Sequence, residues 1–549
     1  MSNRALRFAV LLGLAVSTVD GGHFSLHDYL QKRFHPESVQ ERDVEGLDQR
    51  IENGKLVLDL KAFLSLVLKN STDIRLTQLD VYTAANQITE AKAPFDPNLQ
   101  ISFNALRSVQ SQSTQTSGAA QLNSLSQTSS AGFNQVLGEG PTVSTTFNAI
   151  RNSSNNVFSF FDPSISTGLN FNLTQPLLQN RGNLQLRAPL MIARTQLRIV
   201  SEQSQAQIAN SIANAAAQYW EAIRARDTIR VAEQSLDLAQ KSYERDKRAL
   251  DLGAMSKLDI LPSQSQVAQR KLDLIQAQYA YRQSLDGLRR LIGADLKPNT
   301  VNIEILLQDD PAAMPQGFQP LTLDEAVAKA IHDRPELSAA NRRISIDELN
   351  ARVARNSLLP RLDLNLSAGG SGLGGNQVPV VLPLGMGTTS FVAGGLGDSL
   401  SQLFTFNSPY YGFGLTLGIP IKSSAAKANL SESLVNRVRD RYNGRQIEQQ
   451  IILDVKTANS QLELAQASVE AAKSSRDFAN QNVDAEQQKY TLGTVTAFEL
   501  LTAQSQLALT ESSVLNAYVN YQRAVIAYRR AVWTILDDFG VVVDTPPMR

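Results

Sequence analysis

Leu252-Gly253-Ala254-Met255-Ser256-Lys257-Leu258-Asp259-Ile260-Leu261-Pro262-Ser263-Gln264-Ser265-Gln266 and Leu492-Gly493-Thr494-Val495-Thr496-Ala497-Phe498-Glu499-Leu500-Leu501-Thr502-Ala503-Gln504-Ser505-Gln506 are two versions of one stretch, 240 residues apart. The same offset relates Tyr281 to Tyr521, Arg289 to Arg529 and Arg290 to Arg530. Each version opens with Leu-Gly and places an acid six positions after the glycine. A long helical pattern precedes each version and a shorter one follows. Gly stands where the first helix ends, and Ser256 or Thr496 stands where the next begins, so each stretch reads as the turn of a helical hairpin. A repeat of this length means two copies of one large unit rather than a short-period solenoid.

Composition narrows the function. Lys+Arg 52 balances Asp+Glu 52, so charge gives no support for a nucleic-acid partner. Cysteine is absent, which excludes thiolate metal sites, disulfides and a cysteine nucleophile. No apolar run approaches the ~18–20 residues of a spanning helix, so any membrane crossing must be made by strands. Arg4 and Arg7 precede an apolar run from Phe8 to Val16, and Ala15-Val16-Ser17 resembles a cleavage site. Residues 1–17 are therefore expected to be a signal peptide. Residues 18–55 form a polar segment holding His23, His27 and His35, read as a solvated tail rather than a metal site.

The first structural repeat is expected over 56–293 and the second over 321–536. Leu56-Val57-Leu58-Asp59 matches Leu321-Thr322-Leu323-Asp324, and each opens a helical pattern. Pro94 and Pro97 stop the first helix, as Pro360 stops its counterpart. Strands with period-two alternation follow, over 99–177 and 362–421. Leu99, Ile101, Phe103 and Ala105 oppose Gln100, Ser102 and Asn104; Leu362, Leu364 and Leu366 oppose Asp363, Asn365 and Ser367. Leu169, Phe171 and Leu173, and Tyr411, Phe413, Leu415 and Leu417, form the later pair. The Ser/Gln/Thr-rich residues 108–130 and the Gly-rich residues 369–408 read as exposed loops, with an extra hairpin over Phe133–Leu137 and Thr142–Ile150.

Helical hairpins are expected over 188–293 and 423–536, with Pro189 in the first turn of one helix. Leu186, Leu190, Ala193, Leu197 and Val200, and Ile447, Ile451, Val455, Ala458 and Leu462, step by three and four as coiled-coil seams do. Each long helix spans ~60–65 residues, hence roughly 90–100 Å. Residues 294–320 form a proline-broken linker with a short strand at Val301–Leu307, and 537–549 a polar tail.

The two-faced strands fit a half-buried sheet or a membrane barrel wall. Their place at one end of a helical rod leaves no segment to cover the apolar face, and lipid can cover it. Lipid forbids open sheet edges, so the sheet must close. Four strands are too few. Two chains give eight strands and a nearly filled bore, whereas three give twelve and a passage.

The duplicated arrangement resembles the TolC-type outer-membrane efflux protein family over residues 56–536. The paired Leu-Gly turns with their acid and Gln-Ser-Gln, the Leu-x-Leu-Asp openings and Gln175-Pro176-Leu177-Leu178 carry the resemblance. It implies an α+β membrane protein: a long α-helical coiled-coil tunnel in the periplasm, plus four β-strands per chain in a homotrimeric 12-stranded β-barrel in the outer membrane. It also implies a passive exit duct for tripartite efflux or type I secretion, with a periplasmic membrane-fusion adaptor and an inner-membrane pump of RND, MFS or ABC type. No cofactor is implied. By the same resemblance the tunnel tip closes like an iris. Asp259 and Tyr490 fall at latch positions, Val495 stands where an arginine is expected and Lys257 is the substitute, and Glu499 supplies an acidic aperture ring. Leu252, Gly253, Ala254, Leu492, Gly493 and Thr494 would meet the adaptor. Helix N-terminal charge compensation is the plainer role for Asp259 and Glu499. The rival reading is a soluble or secreted coiled-coil protein. Catalytic side chains are not clustered: His332 is the one histidine beyond the N-terminal segment.

Overall fold

The computed structural model describes residues 41–540 apart from Arg42, residues 114–117, Glu139, 254–255, Lys297, 314–317 and 378–393. The expected signal segment, the three N-terminal histidines and Ala254 lie outside the described residues. In chain order the elements are β1 (Ile51–Glu52), β2 (Lys55–Leu58), α1 (Leu60–Asn70), α2 (Thr72–Lys92), β3 (Asn98–Ser111), β4 (Gln121–Val136), β5 (Thr142–Ser154), β6 (Phe161–Pro176), α3 (Leu184–Asp251), α4 (Leu261–Leu291) and β7 (Glu304–Leu307). The second half continues with α5 (Leu323–Asp333), α6 (Pro335–Asn356), β8 (Arg361–Gln377), α7 (Leu396–Phe404), β9 (Pro409–Gly418), α8 (Ser424–Thr491), α9 (Ala497–Ala531) and α10 (Ile535–Asp538).

The two long helices, α3 and α8, each run 68 residues, about 100 Å at 1.5 Å per residue. Pro189 lies one turn further in than expected, because α3 starts at Leu184 after a tight turn at Arg181–Asn183. The expected seams are buried: Ala193 and Leu197 on α3, and Ile451, Val455, Ala458 and Leu462 on α8. α3 packs on α4, α8 on α9, and α3 on α9, giving the layer order α4–α3–α9–α8. Nearer the sheet, α2 and α6 take the places of α4 and α9 against the long helices.

A second core surrounds the middle of α3. Phe63 of α1 stacks on Tyr219, with centroids 5.4 Å apart, and both are fully buried. The Tyr219 hydroxyl donates to Asp309 Oδ2 at 2.6 Å, and the same oxygen accepts the Leu60 amide at 2.7 Å. Arg226 donates to the carbonyls of Leu307 and Asp309. The linker is thus stitched to the first half, and β7 pairs parallel with β2.

Two expectations change here. The helix expected from Leu56 begins at Leu60, after β2. Asp59 caps it by accepting from Ala62 N at 2.9 Å, whereas Thr322 caps α5, so the matched Leu-x-Leu-Asp openings are offset by two residues. The polar segment ending at 55 is packed from Val44 onward, with Leu47 buried. Glu45 N and O bond the Asn70 side chain, and Ile51–Glu52 pairs with β2, which in turn pairs with β7 about 250 residues away.

Among the described residues the large sheet has six strands, in the order β3-β4-β5-β6-β8-β9, all antiparallel. Four were expected. The stretch read as a Ser/Gln/Thr-rich loop over 108–130 is mostly β3 and β4. Ser102 bonds Ser130 and Ser108 bonds Ser124, each at 2.7 Å across the pair. Hydroxyl-rich strands lack the β-branched signal, yet their backbone ladders are complete. The Gly-rich loop expected over 369–408 likewise holds the end of β8 and helix α7. Gly370, Gly372 and Gly374 lie beneath α7: any side chain at Gly372 would collide with the Ser399 carbonyl. Ser399 Oγ donates to Gly372 O at 2.9 Å and meets Thr167 Oγ1 at 2.7 Å, while Leu403 is buried. Here glycine serves close approach rather than looseness.

Candidate functional site

The far end of the rod carries the two repeated turns. Gly253 and Gly493 adopt φ of 75° and 73°, the left-handed conformation that ends a helix without a Cβ clash. Their amides return to Leu250 O and Tyr490 O at 2.9 and 3.0 Å. Leu252 and Leu492 project into solvent, 84% and 79% exposed. Thr494 is exposed beside them.

The turns differ in how the next helix starts. Thr496 and Glu499 form a reciprocal capping box on α9, with the Thr496 amide donating to Glu499 Oε2 at 2.8 Å. Ser256 does not cap α4, which starts at Leu261. Its hydroxyl accepts from Leu258 N at 3.0 Å within the turn, and Asp259 Oδ2 accepts from Ser256 N at 3.3 Å. Lys257 is exposed. Within this chain Asp259 closes its own turn, and Tyr490 bonds a different carboxylate.

That carboxylate is Asp246, on the last turns of α3 and 1% exposed on its side chain. Tyr490 Oη donates to Asp246 Oδ1 at 3.0 Å, and Ser263 of α4, fully buried, donates to Asp246 Oδ2. Arg245 lies 3.6 Å from the same carboxylate and stacks on the Tyr490 ring, 4.4 Å from its centroid. Burial, then the bond to Asp246, raises the Tyr490 pKa, so the phenol stays a donor. One carboxylate thus ties the ends of α3, α4 and α8. Below it, Gln266 and Ser505 bond at 3.0 Å, and Arg270 donates to Ser505 Oγ at 2.9 Å. The Gln-Ser-Gln repeat is in part a polar tie between the two hairpins.

The sequence did signal Asp246. Ala239, Ser242 and Asp246 step by three and four and are all buried, so they continue the α3 seam with polar residues. The repeat offset puts Glu486 and Ala503 at the positions of Asp246 and Ser263 in the second hairpin, and the tie has no copy there. Val483, Ala503 and Leu507 pack as an apolar cluster instead.

The other end of the rod is the sheet. Cross-strand register puts Leu99, Phe133, Thr145, Phe171, Ala368 and Tyr411 in one row on one face. Ile101, Phe103, Ala131, Val143, Phe147, Leu169, Leu173, Leu364, Leu366, Phe413 and Leu415 share that face. Its β3 and β9 positions are bare: Ile101, Phe103, Phe413 and Leu415 are 75, 66, 79 and 62% exposed. Beyond the band Arg151 bonds Gln127 at 3.0 Å, close to Arg107. Leu99 to Arg107 is eight residues, or about 20 Å of height for a tilted strand, close to the hydrocarbon thickness of an outer membrane. The opposite face is mostly Asn, Ser, Thr and Gly, with Leu106, Leu122, Ile150, Leu373 and Tyr410 among them. At the foot of the sheet, buried Asn183 holds the β4–β5 turn, donating to Leu137 O and Gly140 O at 2.8 and 2.7 Å.

A family model described as outer membrane efflux protein matches residues 138–294 and 326–532. The chain belongs to that family. The solved Campylobacter jejuni CmeC outer membrane channel is similar over 91% of this chain and 94% of that one, at 14% identity and a TM-score of 0.58. The open state of the Neisseria gonorrhoeae MtrE outer membrane channel is similar over 89% and 91%, at 17% identity and a TM-score of 0.58. Protein CyaE of Bordetella pertussis is 28% identical over 179 residues, 33% of this chain and 36% of that protein's length. In this outer membrane efflux protein the sheet belongs in the outer membrane and the helical rod in the periplasm.

Proposed function

We propose that the protein is the passive exit duct of a tripartite efflux or type I secretion system, assembled as a homotrimer. The observation that carries this reading is the bare apolar band at one end of helices about 100 Å long. Helix α7 covers this face over β6 and β8, where Thr167, Gly370 and Gly372 meet it; lipid suits the bare remainder of the band, and a closed ring of chains suits its two edges, β3 and β9. The helices continue the wall as a tunnel. The exposed tips at Leu252, Gly253, Leu492, Gly493 and Thr494 are the surface offered to a periplasmic adaptor, and the partner pump (RND, MFS or ABC type) supplies the energy.

The tip is the gate. The Asp246 carboxylate, with Tyr490, Ser263 and Arg245 on it, holds the second hairpin against the first, and opening parts that contact. Glu499, exposed at the start of α9, supplies one carboxylate per chain to an aperture ring. Asp259 shapes the turn rather than the tie, and Lys257 stands exposed beside it.

Extraction tests the reading. The protein should leave membranes only with detergent, run as a trimer and form conducting pores in planar bilayers. A monomer that stays dissolved without detergent would establish the rival soluble scaffold.

A further inference from the structure

We infer that the outer-membrane sector of this protein is an eighteen-stranded barrel, half again as wide as the twelve strands expected from sequence, with an uncharged lumen wall. The inference rests on the proposed trimeric channel and adds its bore.

Three observations place the β4–β5 hairpin in the wall. Its ladders are continuous with both neighbours, from Asn98–Asn134 to Ser111–Gln121 on one side and from Thr142–Thr174 to Asn152–Ser164 on the other. Its faces match theirs, with Ala131, Phe133, Val143, Phe147 and Ala149 on the apolar side and Ser130, Thr146 and Asn148 on the polar side. A hairpin projecting into water would have no use for that apolar side. Its inner turn is fixed to the foot of the wall by Asn183.

Closure follows from direction and from the helices. Six alternating strands leave β3 and β9 running in opposite directions, so β9 of one chain can pair antiparallel with β3 of the next. The helical edges agree. β9 leads into α8, whose outward side carries exposed Val438, Tyr442, Leu453 and Leu464. β3 follows α2, which with α4 exposes Leu79, Leu272, Ile275 and Tyr279 on the other flank. Each flank exposes large apolar side chains, and the two sets differ, as a head-to-tail ring requires.

Three such sheets give eighteen strands. With ~4.8 Å between strands and a tilt near 40°, the backbone diameter is about 36 Å, against about 24 Å for twelve strands. Among the described residues the inward positions carry no charged side chain between Asp162 at the outer rim and the Arg361–Asp363 pair at the foot. The barrel therefore imposes little ion selectivity, which is left to the helical tip.

Cryo-electron microscopy of the full-length protein in lipid nanodiscs tests this directly. Eighteen strands around a three-fold axis are expected. A three-fold channel with twelve strands overturns the inference and spares the channel reading; a two-fold ring of twelve overturns it too. A soluble monomer overturns the channel reading itself. In a second arm, residues 112–160 are replaced by a short Gly-rich turn joining Ser111 to Phe161. This removes β4 and β5 and keeps strand direction and face. The trimer should persist with its barrel narrowed by about a third, and an unchanged diameter overturns the inference. Should that variant fail to fold, the full-length strand count decides.

Discussion

Tyr490→Phe isolates the tie at the tunnel tip. The ring stays stacked beneath Arg245, and only the hydroxyl that donates to Asp246 at 3.0 Å is lost. A hydrogen bond to a charged group contributes ~1.5–3 kcal/mol net. Tyr490 is only half-buried, so the lower end applies. At about 1.4 kcal/mol per decade, each subunit should part its hairpins roughly tenfold more readily. Asp246→Ala should act more strongly, because it strands Ser263 and Arg245 as well as Tyr490. The double variant separates a tie from a general loosening. If both residues act through one bond, Tyr490→Phe should add nothing in the Asp246→Ala background. Single-channel recording in planar bilayers supplies the readout, as the fraction of time in the high-conductance state. Wild-type behaviour in both single variants, or effects that simply add, would refute the tie.

Other outcomes follow from burial and face. Leu415→Arg, on the bare apolar face, should destabilise the barrel by ~2–4 kcal/mol, while Thr416→Arg on the opposite face should be tolerated; urea unfolding in micelles compares them. Asn183→Ala removes a buried donor from two carbonyls and places alanine at a φ of 51°, so it should cost about 2–4 kcal/mol, read as a lower melting temperature of the trimer. Asp347 on α6 has its pKa raised to about 6, by burial first and then by the nearby Asp440 carboxylate. The folded state keeps a proton that the unfolded chain has released, so this stabilisation is complete at acidic pH and fades as pH rises through about 6. Melting temperature should fall between pH 5 and 7.5, and Asp347→Asn should flatten part of that fall; an unchanged profile would exclude this pair as the cause.

The helices were legible because each carries its own evidence. A seam stepping by three and four, ended by Leu-Gly, fixes a helical hairpin whatever surrounds it, and the 240-residue offset shows the hairpin twice. The apolar alternation of Leu99–Phe103 and Tyr411–Leu417 was local too. The seam of α3 marked Asp246 as a buried position, but not its role, which depends on Tyr490, 244 residues away. Asp259 and Glu499 were visible, but not that each carboxylate also accepts a bond from the turn that contains it.

Sequence alone therefore determined the duplicated helix–strand–helix plan, the membrane-facing strands and the family. Tertiary structure decided the number of strands, the composition of the tip and the role of the glycines under α7. Periodic burial leaves its mark residue by residue, whereas backbone pairing between Ser-rich strands, and a buried carboxylate shared by three helices, exist only once distant segments meet.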